Sequence, residues 1–330
     1  MSRPTMEDVA ARAGVSRALV SIVYRDAPGA SDATRARVLA AGEALGYRPD
    51  HRARLLGRTR TRLLGVTFDV QHPFHGDLIE ALYSAAESTE YDLALSAVAP
   101  SRAETRAVQS LLDYRCEALI LLGPRLSRAA LADLATHQPV IAVARKVKAT
   151  GVDVVRTDDA AGARLAVEHL LALGHRSILH VDGGKSPGAA ERRTGYKSAL
   201  RRAGLRPVVL PGGPTEDDGA RAAKFILDDH PEATAVTVFN DRSAVGLLDA
   251  IRQSPREVPT DLSIIGYDNT STAALSHINL TTIAQNTPAL ATEALTTALA
   301  RLTDTPHTPT TVIPPTLIPR GTTAPRSAQS

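Results

Sequence analysis

The sequence predicts an α/β protein with a small all-α head followed by a large body of two doubly wound parallel sheets. Between residues 5 and 47, three short amphipathic segments each begin at a capping residue, which is typical of helices. From residue 63 onward, short apolar runs alternate with helical patterns, which is typical of parallel strands covered by helices on both faces. Residues 63–323 are too many for one comfortable sheet, so we expect two lobes.

The head is predicted to contain three helices, each with its own start and stop signal. Thr5 caps the first helix with Asp8 at the capping-box position, and Gly14 ends it. Ser16 caps the second helix after a very short turn, and Ser31 caps the third. The apolar positions expected to face the interior of the head are Val9, Ala10, Ala13, Leu19, Val20, Val23, Val38, Leu39 and Leu45.

The body is predicted from its buried strands, with the first helix around residues 76–88. The expected strands are residues 63–68, 92–97, 118–122, 140–143, 177–181, 236–239 and 263–267. The last segment, residues 324–330, contains proline and serine but no leucine, and we expect it to be disordered.

The charge of the chain is distributed unevenly. The net charge is +3, but the first 62 residues alone carry +6 and the remainder carries −3. This asymmetry indicates a polyanion-binding module joined to a mildly acidic body, with a chance fluctuation of surface charge as the alternative. The single cysteine, Cys116, excludes an internal disulfide and a thiolate zinc cluster. Because no membrane segment or signal peptide is evident either, we expect a cytoplasmic protein.

The second predicted helix has the features of a DNA-reading helix. A tight turn between two amphipathic helices allows one helix to enter the major groove while the other braces against the backbone. Arg17, Ala18, Ser21 and Ile22 lie opposite the inward-facing apolar residues of this helix. They combine a bidentate donor, a small polar group and apolar groups able to touch a thymine methyl, so they are expected to set the sequence preference.

The head resembles the LacI family of bacterial transcriptional regulators over about 50 residues. The matching segments are Asp8-Val9-Ala10, Ala13-Gly14-Val15-Ser16, Val20-Ser21, Thr34-Arg35, Val38, Leu45-Gly46-Tyr47 and Pro49. Leu19 and Arg25 depart from the family, which usually has Thr and Asn there, and Arg25 is expected to contact a phosphate instead. The DNA contacts implied in the head are Thr5, Ser16, Arg17, Ala18, Ser21, Ile22, Arg25, Ser31, Thr34, Arg35 and Tyr47.

Residues 50–62 resemble the hinge helix of the same family, so the head is expected to span residues 1–49. The resemblance implies that Leu56 inserts between central base pairs, that Ala53 allows a close approach, and that Arg54 contacts DNA. Asp50 replaces the usual Asn, and either residue can cap a helix. A simple linker whose leucines pack on the body is the alternative.

The body resembles a periplasmic sugar-binding protein, as LacI-family bodies do. The resemblance is carried by Leu64-Gly65-Val66, Pro73-Phe74, His169-Leu170, Leu173-Gly174-His175, Arg193 with Gly195-Tyr196, Asn240-Asp241, Ile265-Gly266-Tyr267-Asp268 and Leu280-Thr281-Thr282-Ile283. It implies that the chain crosses three times between two lobes, near Thr157, Ala284 and Pro319. Lobe 1 would comprise residues 63–157 and 285–318, and lobe 2 would comprise residues 158–283 and 319–323.

The resemblance also implies an effector site in the cleft between the lobes. Arg193 and Asp241 are the first candidates, because bidentate Arg and Asp side chains suit sugar hydroxyl groups. The alternative role for Arg193 and Asp241 is a salt bridge between the lobes that contacts no ligand. The further candidates are Phe74, Arg145 and Asn240, then Tyr267 and Asp268, with His72 and His75 flanking Phe74. No metal-ligand spacing, catalytic motif or cofactor motif is recognised.

These features predict a sequence-specific transcriptional repressor rather than an enzyme. Its expected partners are a palindromic double-stranded operator, a second copy of the chain and a small-molecule effector, expected to be a sugar. A dimer is expected rather than a tetramer, because the C-terminal end has no leucine repeat. The alternatives are a corepressor-dependent regulator or activator of the same family, a solute-binding protein without DNA function, and a sugar-processing enzyme.

Overall fold

The computed structural model describes residues 4–47 and 60–326 of the chain. The chain forms two compact units, which divide between Thr61 and Arg62. The predicted hinge residues Ala53, Arg54 and Leu56 lie outside the described residues, as does the segment 327–330.

The first unit is the predicted three-helix head. Its helices are α1 (Met6–Ala13), α2 (Arg17–Tyr24) and α3 (Asp32–Leu45). The predicted caps are confirmed: the hydroxyls of Thr5, Ser16 and Ser31 each accept a backbone N–H three residues ahead, and Asp8 completes a capping box. Gly14 has φ +64°, a left-handed conformation that suits glycine, and it ends α1 just before Ser16 begins the next helix.

The core of the head is formed by one stripe from each helix. Val9, Val20 and Val38 are completely buried at its centre. The prediction that Leu39 is buried is wrong, because its side chain is 49% exposed. Leu39 follows Val38 by one position and points about 100° away from it, and in α3 that direction faces solvent.

Lobe 1 of the body is a fully parallel sheet covered by helices on both faces. Its strands in spatial order are β11 (Thr310–Ile313), β5 (Val152–Thr157), β4 (Val140–Val143), β3 (Ala118–Leu122), β1 (Leu63–Asp69) and β2 (Asp92–Val98). Its helices are α4 (Pro73–Ala86), α5 (Glu104–Asp113), α6 (Arg128–His137) and α11 (Thr287–Leu302). The central strand β3 is buried at every position, as a strand covered on both faces requires.

Lobe 2 repeats this architecture with one antiparallel edge strand. Its strands in spatial order are β12 (Thr316–Ile318), β10 (Thr281–Ala284), β9 (Ser263–Asp268), β8 (Ala235–Val238), β6 (Ile178–Val181) and β7 (Val208–Leu210). Its helices are α7 (Asp159–Ala172), α8 (Ala189–Arg202), α9 (Glu216–Asp229) and α10 (Asp241–Arg252), and a 3-10 turn spans Ser271–Ala274. The antiparallel strand is β12, which pairs with β10. The predicted fold class is confirmed.

Two glycines allow α9 and α10 to pack with their backbones close together. A Cβ on Gly219 would lie 1.8 Å from the carbonyl oxygen of Ser243 on α10. A Cβ on Gly246 of α10 would lie 2.0 Å from the carbonyl oxygen of Glu216 on α9. Since any larger residue would separate the helices, the two glycines fix their spacing and hence the position of the N-terminus of α10.

The chain crosses between the lobes after β5, after β10 and after β11. The third crossing lies at Pro314 and Pro315 and not near Pro319, because Thr316 to Ile318 already pair with lobe 2. The sequence prediction also missed β5, β7, β10, β11 and β12, which are short or polar strands.

The prediction that disorder begins at residue 324 is wrong for residues 324–326. The backbone N–H of Ala324 donates to Ser263 Oγ at 3.2 Å, and that of Arg326 donates to the carbonyl of Leu173 at 2.8 Å. Residues 324–326 therefore pack on lobe 2. No helix within the described ranges is long and apolar enough to cross a membrane.

Candidate DNA-binding face and candidate effector cleft

The exposed face of α2 carries the residues predicted to read DNA. Arg17 and Ala18 are exposed, whereas Ser21 and Ile22 are half-buried. The guanidinium of Arg17 lies 3.8 Å from the Glu7 carboxylate, and its side chain is 70% exposed. An exposed ion pair of this kind contributes about 0–1 kcal/mol, so it does not prevent Arg17 from moving to a base edge.

Two other predicted DNA-contacting arginines make contacts within the head. Arg25 Nε donates to the carbonyl of Ser21 at 3.0 Å on an exposed surface. Arg35 binds Asp26 at 2.7 Å and the carbonyl of Ala27 at 2.5 Å, which ties α3 to the preceding loop. For Arg35 the structure thus gives a role in positioning that loop, and its contact with DNA stays a prediction.

The predicted hydroxyl contacts to DNA come from residues that also stabilise the helix starts. Thr5, Ser16 and Ser31 are the N-caps described above, and Thr34 Oγ1 lies 3.0 Å from Ser31 Oγ. The ring of Tyr47 packs edge-on against Tyr24, with ring centroids 5.3 Å apart. Their contacts with phosphates stay predictions.

The candidate effector cleft lies at the carboxyl ends of the strands of both sheets. In open α/β sheets this edge is where ligands bind, because several strand ends and helix starts converge there. The residues that line the cleft are Asp69, His72, Phe74, His75, Val98, Glu104, Leu122, Gly123, Arg125, Ala144, Pro187, Arg192, Phe239, Asp268 and Gln285.

Of the two consecutive arginines on α8, Arg192 and not the predicted Arg193 lines the cleft, which Arg125 also lines from lobe 1. Arg192 is 6% exposed and lines the cleft, whereas Arg193 is not among the lining residues and binds Asp182 at 2.5 Å. The two residues are consecutive on α8, so they point about 100° apart. Spacing was the available signal: Arg192 precedes Gly195 and Tyr196 by three and four positions and shares their buried face.

Arg192 is held on every side. Its Nε donates to Asp159 at 2.8 Å, its Nη1 donates to the carbonyl of Phe239 at 2.7 Å, and its Nη2 lies 3.6 Å from Asp268 Oδ1. The guanidinium also stacks on the Tyr267 ring, 3.6 Å from the ring centroid. The guanidinium is therefore oriented before any ligand arrives.

The two aspartate candidates differ in where the structure places them: Asp268 lines the cleft and Asp241 lies behind it. Asp241 is 1% exposed and does not line the cleft. Its carboxylate accepts the backbone N–H of Thr270 at 2.7 Å and the hydroxyl of Thr282 at 2.5 Å. Asp268, predicted as a weaker candidate, lines the cleft and accepts Gln285 Nε2 at 2.8 Å.

The two carboxylates also influence each other. Burial raises the pKa of Asp268, and burial together with the charge of Asp268 raises the pKa of Asp241. Asp268 has φ +114°, a conformation that is strained for a residue other than glycine. Strain of this kind is typical of residues positioned for a functional contact.

Phe74, His72 and His75 form an aromatic wall on the lobe 1 side. The rings of His72 and His75 stack with centroids 4.6 Å apart. His75 Nδ1 accepts the backbone N–H of Asp69 at 3.0 Å, which leaves the ring hydrogen on Nε2. Burial lowers the pKa of His72 to about 4, so the ring is neutral near pH 7.

Arg145 and Asn240 do not line the cleft. Arg145 donates to the carbonyl of Pro124. Asn240 caps α10 by accepting the backbone N–H of Ser243 at 2.9 Å. Among the lining residues, the sequence prediction missed Asp69, Glu104, Arg125, Phe239 and Gln285. Asp69 and Phe239 could have been found, because they end or directly follow strands that were predicted.

A three-helix head with a tight turn, joined to a two-lobed body with a polar cleft, defines a class of regulator that combines a DNA-binding head with a ligand-binding body. Residues 5–50 match the bacterial regulatory proteins of the lacI family, and residues 167–323 match the periplasmic binding protein-like domain. The chain is 34% identical over 325 residues to the HTH-type transcriptional regulator GalR of Escherichia coli K12, which covers 96% of this chain and 94% of that protein.

Solved structures agree with this match. A LacI transcriptional regulator from a Rhodococcus species is 47% identical with a TM-score of 0.78, covering 80% of this chain and 98% of that one. The lac repressor dimer bound to operator and the anti-inducer ONPF is 29% identical with a TM-score of 0.82, covering 98% of this chain and 100% of that one. The regulator CelR in complex with cellobiose is 27% identical with a TM-score of 0.71, covering 97% of this chain and 100% of that one. The chain belongs to the LacI family and is a DNA-binding transcriptional regulator.

Proposed function

We propose that this regulator is a repressor that binds a palindromic operator as a homodimer, and that a sugar in the cleft sets its operator affinity. The observation that carries the proposal is the buried polar cleft in which Arg192 is oriented beside Asp268. Neutral sugars present hydroxyl groups that both donate and accept. Asp268 accepts from such hydroxyls, and Arg192 and Gln285 donate to them.

The cleft joins groups from both lobes, which gives a ligand the means to change their arrangement. Asp69 and Phe74 belong to lobe 1, and Arg192 and Asp268 belong to lobe 2. A ligand that contacts both sets binds one arrangement of the lobes better than another, and only such differential binding shifts an equilibrium. The cellobiose complex of CelR supports a sugar as the ligand.

On the DNA side, α2 is proposed to enter the major groove with Arg17, Ala18, Ser21 and Ile22 facing the bases. The +6 charge of the first 62 residues supports phosphate contacts, and these make affinity fall steeply with salt. Ala53, Arg54 and Leu56 are proposed as the hinge contacts with the minor groove.

A homodimer is supported by apolar side chains on lobe 1. Leu95 on the edge strand β2, Tyr83 on α4 and Tyr114 after α5 are all exposed large hydrophobic residues. Exposed apolar side chains on and near an unpaired strand edge favour association with a second copy. We propose a dimer, in keeping with the lac repressor dimer on its operator.

Because DNA is its partner, the protein is proposed to act in the cytoplasm. We propose no enzymatic activity.

The test uses the full chain, a DNA fragment selected from a random pool, and a panel of sugars. A sugar that raises the melting temperature should also change the affinity of the chain for the selected fragment. Asp268→Ala should abolish the response to the sugar while retaining DNA binding. Release of the DNA indicates an induced repressor, and tighter binding indicates a corepressor. Equal affinity for all DNA sequences would contradict the proposal.

A further inference from the structure

The two lobes are joined beside the cleft by a hydrogen bond from Arg242. This residue lies in the first turn of α10 in lobe 2, and its Nη1 donates to the backbone carbonyl of Gln71 in lobe 1 at 2.7 Å. Among the described residues, and apart from contacts of the crossing segments, this hydrogen bond, hereafter the clasp, is the one that joins the lobes. The lobes also approach at Pro187, whose Cγ would lie 3.6 Å from a Cβ on Gly123.

The arginine of the clasp is held in place by lobe 2. Arg242 Nε lies 2.6 Å from Oε2 of Glu216, the first residue of α9. Gly219 and Gly246 keep α9 and α10 at a fixed, close spacing, so Glu216 stays beside Arg242. A planar guanidinium that is already bound at one nitrogen loses less freedom when it binds an acceptor at another. The Arg242 side chain is therefore oriented for the carbonyl of Gln71.

The carbonyl that Arg242 binds belongs to an ordered turn of lobe 1. The backbone N–H of Gln71 donates to Asp69 Oδ1 at 2.9 Å, and that of His72 donates to the carbonyl of Asp69 at 3.1 Å. Asp69 and His72 line the cleft, whereas Gln71 and Arg242 do not. The clasp thus fixes the position of two lining residues of lobe 1 relative to lobe 2, without contacting the cleft itself.

The clasp lies well away from the crossings. In lobe 1, Gln71 follows β1, which is three strands from β5, where the first crossing begins. In lobe 2, Arg242 follows β8, which is two strands from β10. With about 4.8 Å between neighbouring strands, these separations are about 14 Å and about 10 Å. A rotation of about 10° about the crossings moves a point at such distances by about 2 Å, which breaks a hydrogen bond.

We propose that the clasp favours the closed arrangement of the lobes independently of any ligand, and that Arg242 is therefore a positioning residue of the cleft. Arg242 contacts no lining group and acts by keeping Asp69 and His72 close to the lining residues of lobe 2. A single hydrogen bond of this kind changes the ratio of closed to open lobes by about twofold to tenfold.

The clasp also has a consequence for ligand exchange. A ligand enters or leaves a cleft between two lobes while the lobes are open, so a contact that favours closure slows both steps. Its effect on affinity is smaller, because affinity depends only on the fraction of chains in the binding arrangement. The consequence for a sugar rests on the proposed function, whereas the effect of the clasp on the lobes does not.

The first experiment measures distances between the lobes in the full chain without a ligand. Ser101→Cys and Lys185→Cys place spin labels at exposed positions after β2 and after β6, which lie further from the crossings than the clasp does. Burial raises the pKa of the Cys116 thiol to about 12, so Cys116 stays unlabelled. An excess of unlabelled chain ensures that only label pairs within one chain are measured. We expect Arg242→Ala to increase the population at longer distances by about twofold to tenfold.

Arg252→Ala is the matched control for this experiment. Arg252 is exposed at the other end of α10, and in the described ranges it makes no hydrogen bond to lobe 1. Its distance distribution should equal that of the unaltered chain. Glu216→Gln should shift the distribution in the same direction as Arg242→Ala, by a smaller amount. A distribution that is unchanged in Arg242→Ala would overturn the proposal, and Glu216→Gln decides in its place if Arg242→Ala does not fold.

The second experiment measures the rates at which glucose, galactose and cellobiose bind to the immobilised full chain and leave it. For a sugar that binds, Arg242→Ala should accelerate dissociation by about twofold to tenfold and should also accelerate association. The affinity should change by less than either rate. Unchanged rates would overturn the role of Arg242 in ligand exchange. If no sugar of this panel binds, the proposed function fails, and the distances between the lobes still decide the clasp.

Discussion

The hydroxyl of Thr157 donates a hydrogen bond of 2.7 Å to Gln285 Oε1, and so joins the first and second crossings between the two lobes. The same Gln285 donates through Nε2 to Asp268 in the cleft. All three side chains are buried. A carboxylate that lines the cleft is therefore connected, through one side chain, to two of the segments that join the lobes.

Gln285→Leu should weaken both stability and ligand response. The substitution removes two buried hydrogen bonds and should lower the unfolding free energy by about 1–3 kcal/mol, as measured by urea denaturation. It should also reduce the factor by which a sugar changes operator affinity. Thr157→Val is the matched variant, since it retains the Gln285–Asp268 bond. We expect it to keep sugar affinity while weakening the coupling, and full coupling in both variants would contradict this role.

Arg192→Ala and Arg193→Ala should differ strongly in stability. Removal of Arg192 leaves Asp159 and Asp268 without their buried partner, which should cost about 3–5 kcal/mol. Removal of Arg193 breaks a partly exposed pair with Asp182 and should cost about 0–1 kcal/mol. Urea denaturation of the two variants measures both values. Similar losses would show that the cleft arginine is assigned wrongly.

His180 should make the body less stable in acid. Burial, reinforced by the nearby charge of Arg192, lowers the pKa of His180 to about 3. The unfolded chain therefore binds a proton before the folded chain does, and stability falls as the pH drops below the ordinary histidine pKa. Relative to His180→Phe, the unaltered chain should lose about 2–3 kcal/mol between about pH 7 and about pH 4.5.

The control for this pH series is Thr237→Val. It removes the hydroxyl that lies 3.0 Å from His180 Nδ1 without removing the titrating ring. Its stability should follow the pH dependence of the unaltered chain, displaced by a constant amount. If the stability of His180→Phe falls with pH as steeply as that of the unaltered chain, a group other than His180 causes the loss of stability.

Arg17→Ala and Arg25→Ala should separate base reading from phosphate binding. Arg17 is proposed to contact a base edge, so its loss should reduce discrimination at one operator position by about 1–3 kcal/mol. Arg25 is proposed to contact a phosphate, so its loss should weaken binding equally on all sequences and reduce the salt dependence. Binding to a set of single-base operator variants at two salt concentrations distinguishes the two effects. Identical profiles would contradict the assignment.

Local signals in the sequence were sufficient for much of the fold. The caps at Thr5, Ser16 and Ser31 are predictable because a hydroxyl at the helix start satisfies a backbone N–H three residues ahead. The buried strand β3 is predictable because it is apolar throughout. In contrast, β12 has three residues and forms only by pairing with β10, which no local pattern reports.

The candidate site was less predictable from the sequence. It depends on the directions in which side chains point and on contacts between residues that are distant in the chain. Arg192 and Arg193 are chemically identical neighbours, and they differ only in that Arg192 shares the buried face of α8 with Gly195 and Tyr196. Asp241 and Asp268 both follow or end buried strands, and only the threonines around Asp241 show that its oxygens are already satisfied. Gln285 carries no motif, and its role arises from residues 128 and 17 positions away.

We propose that ligand binding in the cleft and operator binding by the head are coupled. The most direct measurement is the affinity of the full chain for its sugar with and without a saturating amount of operator DNA. Linkage requires operator to change the sugar affinity by the same factor by which the sugar changes operator affinity. We predict that operator changes the sugar affinity, and that the sugar changes the operator affinity by the same factor. A sugar affinity that is the same with and without operator would contradict the coupling between the cleft and the head.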